Sequence, residues 1–207
     1  MSARRPSPAA WVVTTVLGYA LALGAATLVM GVPGRALSSL LGGLVYLAVY
    51  GAVVGIVVAL VQLAALRGRS IAPVSWIATS ALGLAVAFPV MAIVGELLGN
   101  AIDPLLPVAL GEGVIQDLSG ATLGIILGIA QWRVLRPLLP GRVSWLIASA
   151  IGAGIGYGIA AAALELFEIE FLRANLVLSF GAMVGLFLGV AQAFALLRSG
   201  VRVVEPR

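Results

Sequence analysis

Six long apolar segments with short connections dominate this sequence of 207 residues and leave no room for a second, water-soluble domain. Hydrophobic residues make up 62% of the chain and charged residues 10%, against about 45–50% and about 25% in soluble domains. A helix of about 20 apolar residues crosses a bilayer and satisfies its own backbone groups. We therefore expect an all-α integral membrane protein, with six transmembrane helices at 11–30, 38–66, 74–98, 118–135, 143–164 and 174–197.

The charged residues are distributed unequally between the two sides of these spans. All 12 basic residues are arginines, ten of which lie on the side of the chain termini, whereas seven of the eight acidic residues lie on the other side. The positive-inside rule then predicts a cytoplasmic-membrane protein with both termini in the cytoplasm. The arginines form no basic stripe, so we expect no nucleic-acid partner. Four tryptophans at the arginine-rich interface are predicted to be interfacial anchors, namely Trp11, Trp76, Trp132 and Trp145.

Two motifs recur three times along the chain. One is GAVVGIVVALVQLAALR at Gly51, GATLGIILGIAQWRVLR at Gly120 and GAMVGLFLGVAQAFALLR at Gly181. The other, WVVTTVLG, WIATSALG and WLIASAIG, has Ser or Thr four residues after its Trp and Gly seven residues after it. The motifs define three tandem αα-hairpins, at 11–67, 74–136 and 143–198, within a single membrane domain at 1–207. Because every unit crosses the membrane twice, we predict a pseudo-threefold bundle with its axis along the membrane normal.

Small residues at every fourth position predict close packing of the even-numbered helices. At about 100° per residue, positions 0, 4 and 8 of the glycine motif fall within about 80° of one another. Such a GxxxG face, or glycine zipper, lets two backbones approach closely in lipid. We expect the even-numbered helices to form an inner layer through Gly51, Gly55, Gly120, Gly124, Gly128, Gly181, Gly185 and Gly189.

Each glycine motif ends in a glutamine, and Gln62, Gln131 and Gln192 are predicted to lie at one depth near the cytoplasmic end. One interpretation is that each amide bonds a neighbouring helix, with a contribution of about 0.6 to 2 kcal/mol. The other is a ring of three amides around a narrow axial site for water, a cation or a small polar solute. The first is favoured because polar contacts between membrane helices are common.

The acidic side contains the longest connection, residues 98–118. Its apolar composition and two prolines, Pro104 and Pro107, predict a short amphipathic or re-entrant segment along the interface. The acidic residues there and beside span five have no recognised metal-ligand spacing, so we expect solvated carboxylates.

Several classes of function are excluded by what the sequence lacks. Without cysteine or histidine, the chain has no disulfide, no Cys or His metal site and no histidine-based triad. No Walker A motif, nucleophile elbow or HExxH sequence occurs. We therefore expect no catalytic residues, no cofactor and no metal, and a protein that is not an enzyme.

The segment GATLGIILGIAQWRVLR followed by VSWLIASAIG resembles repeats in polytopic membrane proteins of Chloroflexi and cyanobacteria. The similarity covers most of the chain, although Ala193 stands where the second copy has Trp after its Gln. The resemblance implies a bacterial membrane location, and it implies no activity because none is established for those proteins.

Two functions follow as alternatives. The favoured one is a non-catalytic accessory subunit that packs against other membrane subunits, or against itself, through its small-residue faces. The other is a small pseudo-threefold transporter or channel for a neutral or weakly polar solute or lipid. A pigment or quinone protein is a third, less supported possibility, because no histidine is present to ligate a chlorin.

Overall fold

The structure, a computed structural model, describes residues 7–30, 40–67, 71–102, 105, 107–136, 142–166 and 173–198. These residues form six helices, each with a segment apolar and long enough to cross a membrane. The chain is thus an all-helical, multi-pass protein, as expected from its sequence. The helices are α1 (Pro8–Met30), α2 (Leu40–Gln62), α3 (Pro73–Ile102), α4 (Val108–Leu135), α5 (Arg142–Leu166) and α6 (Arg173–Arg198).

The predicted spans match these helices closely, with one clear exception. Helix α4 begins at Val108, ten residues before the predicted start at 118, and α3 continues to Ile102. Most of the connection expected to lie along the interface is therefore helix. The polar residues of this connection do not mark the end of a helix. A helix that is longer than the hydrocarbon core is thick extends into the aqueous region, where such residues are solvated. Pro107 immediately precedes α4, where its missing N–H costs no helical hydrogen bond.

Among the described residues, each helix packs against its neighbours in sequence, and α6 packs against α1. The six helices therefore form one closed ring. This differs from the expected inner layer of even-numbered helices, because the glycine faces of those helices contact odd-numbered helices instead of one another.

Main-chain contact at glycine builds three of the six interfaces, α2–α3, α4–α5 and α6–α1. A Cβ on Gly55 would stand 2.5 Å from the carbonyl oxygen of Ser80, and one on Gly185 would stand 2.7 Å from that of Thr15. A Cβ on Gly124 would collide with the Ser149 carbonyl in the same way. Because carbon cannot approach backbone this closely, these positions accept no side chain without a shift of the helices. The first glycine of each motif makes the same kind of contact. Cβ atoms on Gly51, Gly120 and Gly181 would meet the carbonyl groups of Leu84, Ala153 and Tyr19, respectively.

The third glycine of the motif is less tightly held. A Cβ on Gly128 would lie 3.0 Å from the Ser149 Cβ, and one on Gly189 would lie 3.1 Å from the Thr15 Cβ. These contacts involve side-chain atoms, so the neighbours need to move by only a few tenths of an ångström. All eight glycines predicted to serve helix packing thus lie at helix–helix contacts within the chain.

The other three interfaces use the glycine that follows each Trp by seven residues. Gly18 faces the Val58 backbone of α2, with a hypothetical Cβ 3.3 Å from its Cα. A Cβ on Gly83 would lie 2.8 Å from Ala130 of α4. A Cβ on Gly152 would lie 2.8 Å from the Leu188 Cα of α6. Small residues therefore occur at every interface of the ring.

Large aliphatic residues occupy the outside of the ring. Leu21, Val86 and Ile151 expose about half of their surface. In water such a surface would be unfavourable, but acyl chains solvate it as well as another helix does. The small residues therefore face protein, and the bulky residues face the space that lipid fills.

We predict that Gly124→Ala lowers stability by about 1–3 kcal/mol, the usual cost of overpacking, because its Cβ meets the Ser149 carbonyl. Gly113→Ala on the same helix is the matched control, since a Cβ there meets nothing within 4 Å. It should leave stability unchanged or raise it by up to about 1 kcal/mol through helix propensity. Unfolding of both purified variants in mild detergent, followed by tryptophan fluorescence, measures the difference. Equal midpoints would contradict main-chain contact at Gly124.

Candidate functional site

The predicted candidate polar residues, Gln62, Gln131 and Gln192, are 1%, 0% and 0% exposed. They lie near the C-terminal ends of α2, α4 and α6, the end of the ring that carries exposed Arg67, Arg133, Arg136 and Arg198. Gln192 Nε2 lies 3.4 Å from Gln131 Oε1, so two of the three amides meet directly. A polar site at one depth, as expected from the repeat, is present in the folded chain.

Three tryptophans lie beside these amides. Trp11, Trp76 and Trp145 are at most 1% exposed. The Trp11 ring meets Trp76 edge to face at 6.0 Å between centroids, and Trp145 at 5.9 Å. Its Nε1 donates to Gln192 Oε1 at 3.2 Å. The indoles thus form one cluster inside the ring of helices.

The burial of these three indoles differs from their predicted role as lipid-facing anchors. An interfacial tryptophan keeps its ring at the level of the lipid headgroups, whereas these rings contact one another inside the bundle. Trp132, the fourth predicted anchor, is half-buried at the same end of the ring. The charge pattern indicates at which end of the ring a tryptophan lies. It carries no information on the direction in which the side chain points.

Three hydroxyls of the Trp motif, for which the sequence indicated no specific role, complete the site. Thr15, Ser80 and Ser149 are fully buried. Gln62 Nε2 donates to Thr15 Oγ1 at 3.1 Å, and Gln192 Nε2 donates to Ser149 Oγ at 3.0 Å. The signal was present, because a hydroxyl follows each Trp by four residues. We call these nine residues the polar layer: Trp11, Trp76, Trp145, Thr15, Ser80, Ser149, Gln62, Gln131 and Gln192.

Five buried atoms of the polar layer have no hydrogen-bond partner among the residues that the structure describes. The donors are Trp76 Nε1, Trp145 Nε1 and Gln131 Nε2, the acceptor is Gln62 Oε1, and Ser80 Oγ is able to do both. Leaving such a group unpaired in an apolar interior costs about 1–3 kcal/mol. The set contains both donors and acceptors.

Apolar side chains close the ring beyond the polar layer. Four residues before each glutamine stand Val58, Leu127 and Leu188, and eight residues before stand Val54, Leu123 and Val184. All six are at most 1% exposed and belong to the same buried cluster. No charged side chain belongs to this cluster. The described core therefore offers no charged path through the ring at this depth.

Toward the opposite end of the ring lies a cavity of about 190 Å³. Five helices line it, and the exposed acids Glu96, Glu112 and Asp117 lie at this end of the chain's helices. Its walls are aromatic and aliphatic, with a hydrogen-bonded pair, Thr27 Oγ1 and Tyr50 OH, 3.3 Å apart. We call it the aromatic cavity; its lining is Leu23, Thr27, Tyr50, Phe88, Tyr157, Val177 and Phe180.

The acidic residues form no recognisable metal centre in the part of the chain that the structure describes. There, no three acidic side chains come together at a distance suited to a metal ion. Asp103, Glu168 and Glu170 lie outside the described residues, as do Arg4, Arg5, Arg35, Arg69, Arg202 and Arg207 of the charge pattern.

Comparison of the chain with protein-family models, with curated proteins and with solved structures finds no match. Any functional interpretation therefore depends on the polar layer and the aromatic cavity themselves.

We predict that Thr15→Val costs about 1–3 kcal/mol of stability, because it removes the partner of the buried Gln62 amide. Thr14→Val is the matched control, since the Thr14 hydroxyl bonds only carbonyls of its own helix, those of Ala10 and Trp11. Unfolding midpoints of the two variants, measured side by side in the same detergent, give the difference. If Thr14→Val costs as much as Thr15→Val, the Gln62 contact contributes nothing.

Proposed function

We propose that the chain is a non-catalytic bacterial membrane protein whose three tandem hairpins pack around a pseudo-threefold axis. Support comes from contacts that recur at equivalent repeat positions, such as Gly55 with Ser80 and Gly185 with Thr15. Further support comes from the central tryptophan cluster, in which Trp11 touches both of its counterparts. In this arrangement the axis runs through the polar layer and the aromatic cavity.

The unpartnered atoms of the polar layer favour this symmetry, because they are the counterparts of atoms that are paired elsewhere. Trp11 donates to Gln192 of the preceding hairpin in the ring, and the equivalent donor and acceptor, Trp76 Nε1 and Gln62 Oε1, both lack partners. Gln62 and Gln192 bond the hydroxyls of their own hairpins. The equivalent atoms of Gln131 and Ser80 also lack partners.

In the closed form of the layer, each glutamine oxygen accepts from a tryptophan and from a second glutamine. Each glutamine nitrogen donates to a hydroxyl and to the third glutamine, as Gln192 Nε2 does in bonding both Ser149 and Gln131. This requires the Gln131 amide to turn toward Ser80 and Trp145, and it requires Trp76 Nε1 to approach Gln62 Oε1. Every amide proton and lone pair is then used, so the layer seals the axis.

The function that this geometry supports best is that of a small transporter for a neutral or weakly polar solute or lipid. One observation carries the proposal: a cavity of about 190 Å³ lies in one half of the ring, while buried aliphatic side chains and the polar layer close the other half. That is the arrangement of a pathway open on one side only. The hydrogen bonds of the polar layer are able to exchange with a polar solute, and thereby to act as the gate.

The accessory-subunit hypothesis stays a prediction with less support than it had from sequence. It was motivated by glycine faces available to a partner, and those glycines contact helices of the same chain. Native mass spectrometry of protein purified in mild detergent tests it. A stable co-purifying membrane subunit would support it, whereas a monomer alone would count against it.

The charge pattern places the polar layer on the cytoplasmic side, so in this proposal the aromatic cavity opens away from the cytoplasm. Both termini are then cytoplasmic. Single cysteines introduced at Arg67 and Glu112, which are exposed at opposite ends of the ring, test this in intact cells with a membrane-impermeant maleimide. Labelling of the Glu112 site alone is expected, and labelling of the Arg67 site alone would reverse the orientation.

Proteoliposome flux is the test of transport. We expect the wild-type chain to pass at least one of urea, acetamide and glycerol faster than empty vesicles do in a stopped-flow osmotic assay. Replacing Gln62, Gln131 or Gln192 by Leu should lower that flux about fivefold, because loss of one hydrogen bond changes a barrier by about 1 kcal/mol. Gln116→Leu is the matched control, as Gln116 lies on α4 outside the polar layer.

Two results would contradict the transport proposal. One is a folded, monodisperse wild-type protein with no flux for any of the three solutes. The other is a flux that Gln116→Leu lowers as much as the layer substitutions do. A variant in which Gln62, Gln131 and Gln192 are all replaced by Leu gives a further result. Its aggregation would indicate that the amides serve to hold the helices together.

A further inference from the structure

The walls of the aromatic cavity consist largely of two edge-to-face pairs of rings. Tyr50 meets Phe88 with centroids 5.5 Å apart and planes at 63°, and Tyr157 meets Phe180 at 5.0 Å and 86°. The rings of each pair come from different helices, so each pair fixes the position of both members. Such walls favour contact with a further aromatic ring, because edge-to-face and offset-stacked arrangements are the preferred ones.

The size of the cavity limits its occupant. An apolar cavity of about 150 Å³ holds one benzene molecule, and the aromatic cavity measures about 190 Å³. One six-membered ring with a small substituent therefore fits, whereas a fused polycyclic ring system is too large.

The polar atoms of the cavity favour a hydrogen-bond acceptor, such as an oxygen, on that ring. Thr27 Oγ1 and Tyr50 OH lie 3.3 Å apart, and either one is able to donate to the other. Two hydroxyls that share one hydrogen bond use one of their two protons, so the second remains for an acceptor on a ligand. Among the described residues that line the cavity there is no carboxylate and no arginine, and these residues offer a charged occupant no counter-charge.

The depth of the cavity indicates how its occupant arrives. Leu23, Phe88 and Tyr157 each follow a tryptophan of the polar layer by twelve residues, which on a helix corresponds to about 18 Å. The cavity thus lies within the thickness of the hydrocarbon core, in the half nearer the acidic end. A neutral ring compound partitions into that region, so it is able to reach the cavity from the membrane.

We infer that the aromatic cavity binds a neutral six-membered ring that carries a hydrogen-bond-accepting oxygen, with the oxygen on the Thr27 and Tyr50 hydroxyls. This names a substrate class for the transport pathway proposed above and rests on that proposal for its biological role. The same ring chemistry is available as a free small molecule or as the head of a membrane lipid.

Binding is tested with acetophenone, which has the ring and the acceptor, and ethylbenzene, which has the ring alone. Ligand-observed NMR with purified protein in detergent gives both dissociation constants. We expect both probes to bind the wild type, because the aromatic walls accept either ring. In Thr27→Val/Tyr50→Phe, the ratio of acetophenone to ethylbenzene affinity should fall about fivefold, as expected for one neutral hydrogen bond.

Two further variants serve as controls. Leu23→Phe puts an aromatic ring where the equivalent positions have Phe88 and Tyr157, so the fold should accept it while the cavity is filled. Both probes should then lose their specific binding. The signal that remains in this variant measures partition of the probes into detergent.

Thr122→Val makes a Thr-to-Val change outside the cavity, at a hydroxyl that donates to the Leu118 carbonyl of its own helix. It should leave both affinities unchanged.

A third probe, 4-decylacetophenone, distinguishes the two sources of the ring. Binding of this probe as well as acetophenone indicates a lipid, and binding of acetophenone alone indicates a free small molecule; either result supports the inference. Probes that bind wild type and Leu23→Phe equally would overturn it. So would an unchanged affinity ratio in Thr27→Val/Tyr50→Phe, or tighter binding of tetramethylammonium than of acetophenone.

Failure of this inference is distinguishable from failure of the transport proposal. Flux that depends on the polar layer, without binding of the ring probes, would leave transport intact and remove this ligand class. Specific binding of the ring probes without flux would leave the binding site intact and remove transport.

Discussion

Contact between the main chains of neighbouring helices is the interaction on which this molecule depends. In lipid, leucine and valine gain little by leaving acyl chains for one another, so the hydrophobic effect does not bring helices together. Dispersion contact grows with closeness, and helices come closest where side chains are absent. At Gly55, Gly124 and Gly185 the neighbouring carbonyl occupies the place of a Cβ. The ring closes because α1 and α6 meet at a glycine that contacts main chain, as α2 and α3 do and as α4 and α5 do.

The polar layer gives the ring something that small residues cannot, namely a fixed register. Glycine faces slide past one another at little cost, whereas a buried amide that loses its partner costs about 1–3 kcal/mol. Gln62 and Gln192 fix the register within their hairpins, and the Trp11 to Gln192 bond connects the last hairpin to the first. The same bonds close the bundle at one end, and the buried side chains of Val58, Leu127 and Leu188 lie between the polar layer and the cavity.

Much of the architecture follows from the sequence, because hydropathy and repeat spacing report on length and depth. The six helices, the common depth of Gln62, Gln131 and Gln192, and the packing role of the glycines were all predictable in this way. The direction in which a side chain points around the helix axis was not predictable. Trp11, Trp76 and Trp145 have the charge context of interfacial anchors, yet their rings meet inside the bundle. The early start of α4 at Val108 was missed because polar residues do not end a helix outside the hydrocarbon core.

The aromatic cavity had no signal in the sequence, for a physical reason. It lies between five helices, and its rings come from positions far apart in the chain, such as Tyr50 and Tyr157. Each is an ordinary aromatic residue of an apolar span. Only the closure of the ring brings them to one space, so a prediction of the cavity needs the order of helices around the axis first.

Closure of the ring between α1 and α6 is the central claim, and cysteine cross-linking tests it most directly in a chain without native cysteine. A Cβ on Gly24 would lie 3.6 Å from the Leu178 Cγ, which is within the reach of a disulfide. Oxidation of Gly24→Cys/Leu178→Cys in native membranes should join the two peptides within one chain, as mass spectrometry after cleavage at arginine would show. Gly24→Cys/Ile125→Cys, whose second site is on α4 across the ring, should stay reduced. Absence of the first cross-link, or its formation only between chains, would contradict the ring.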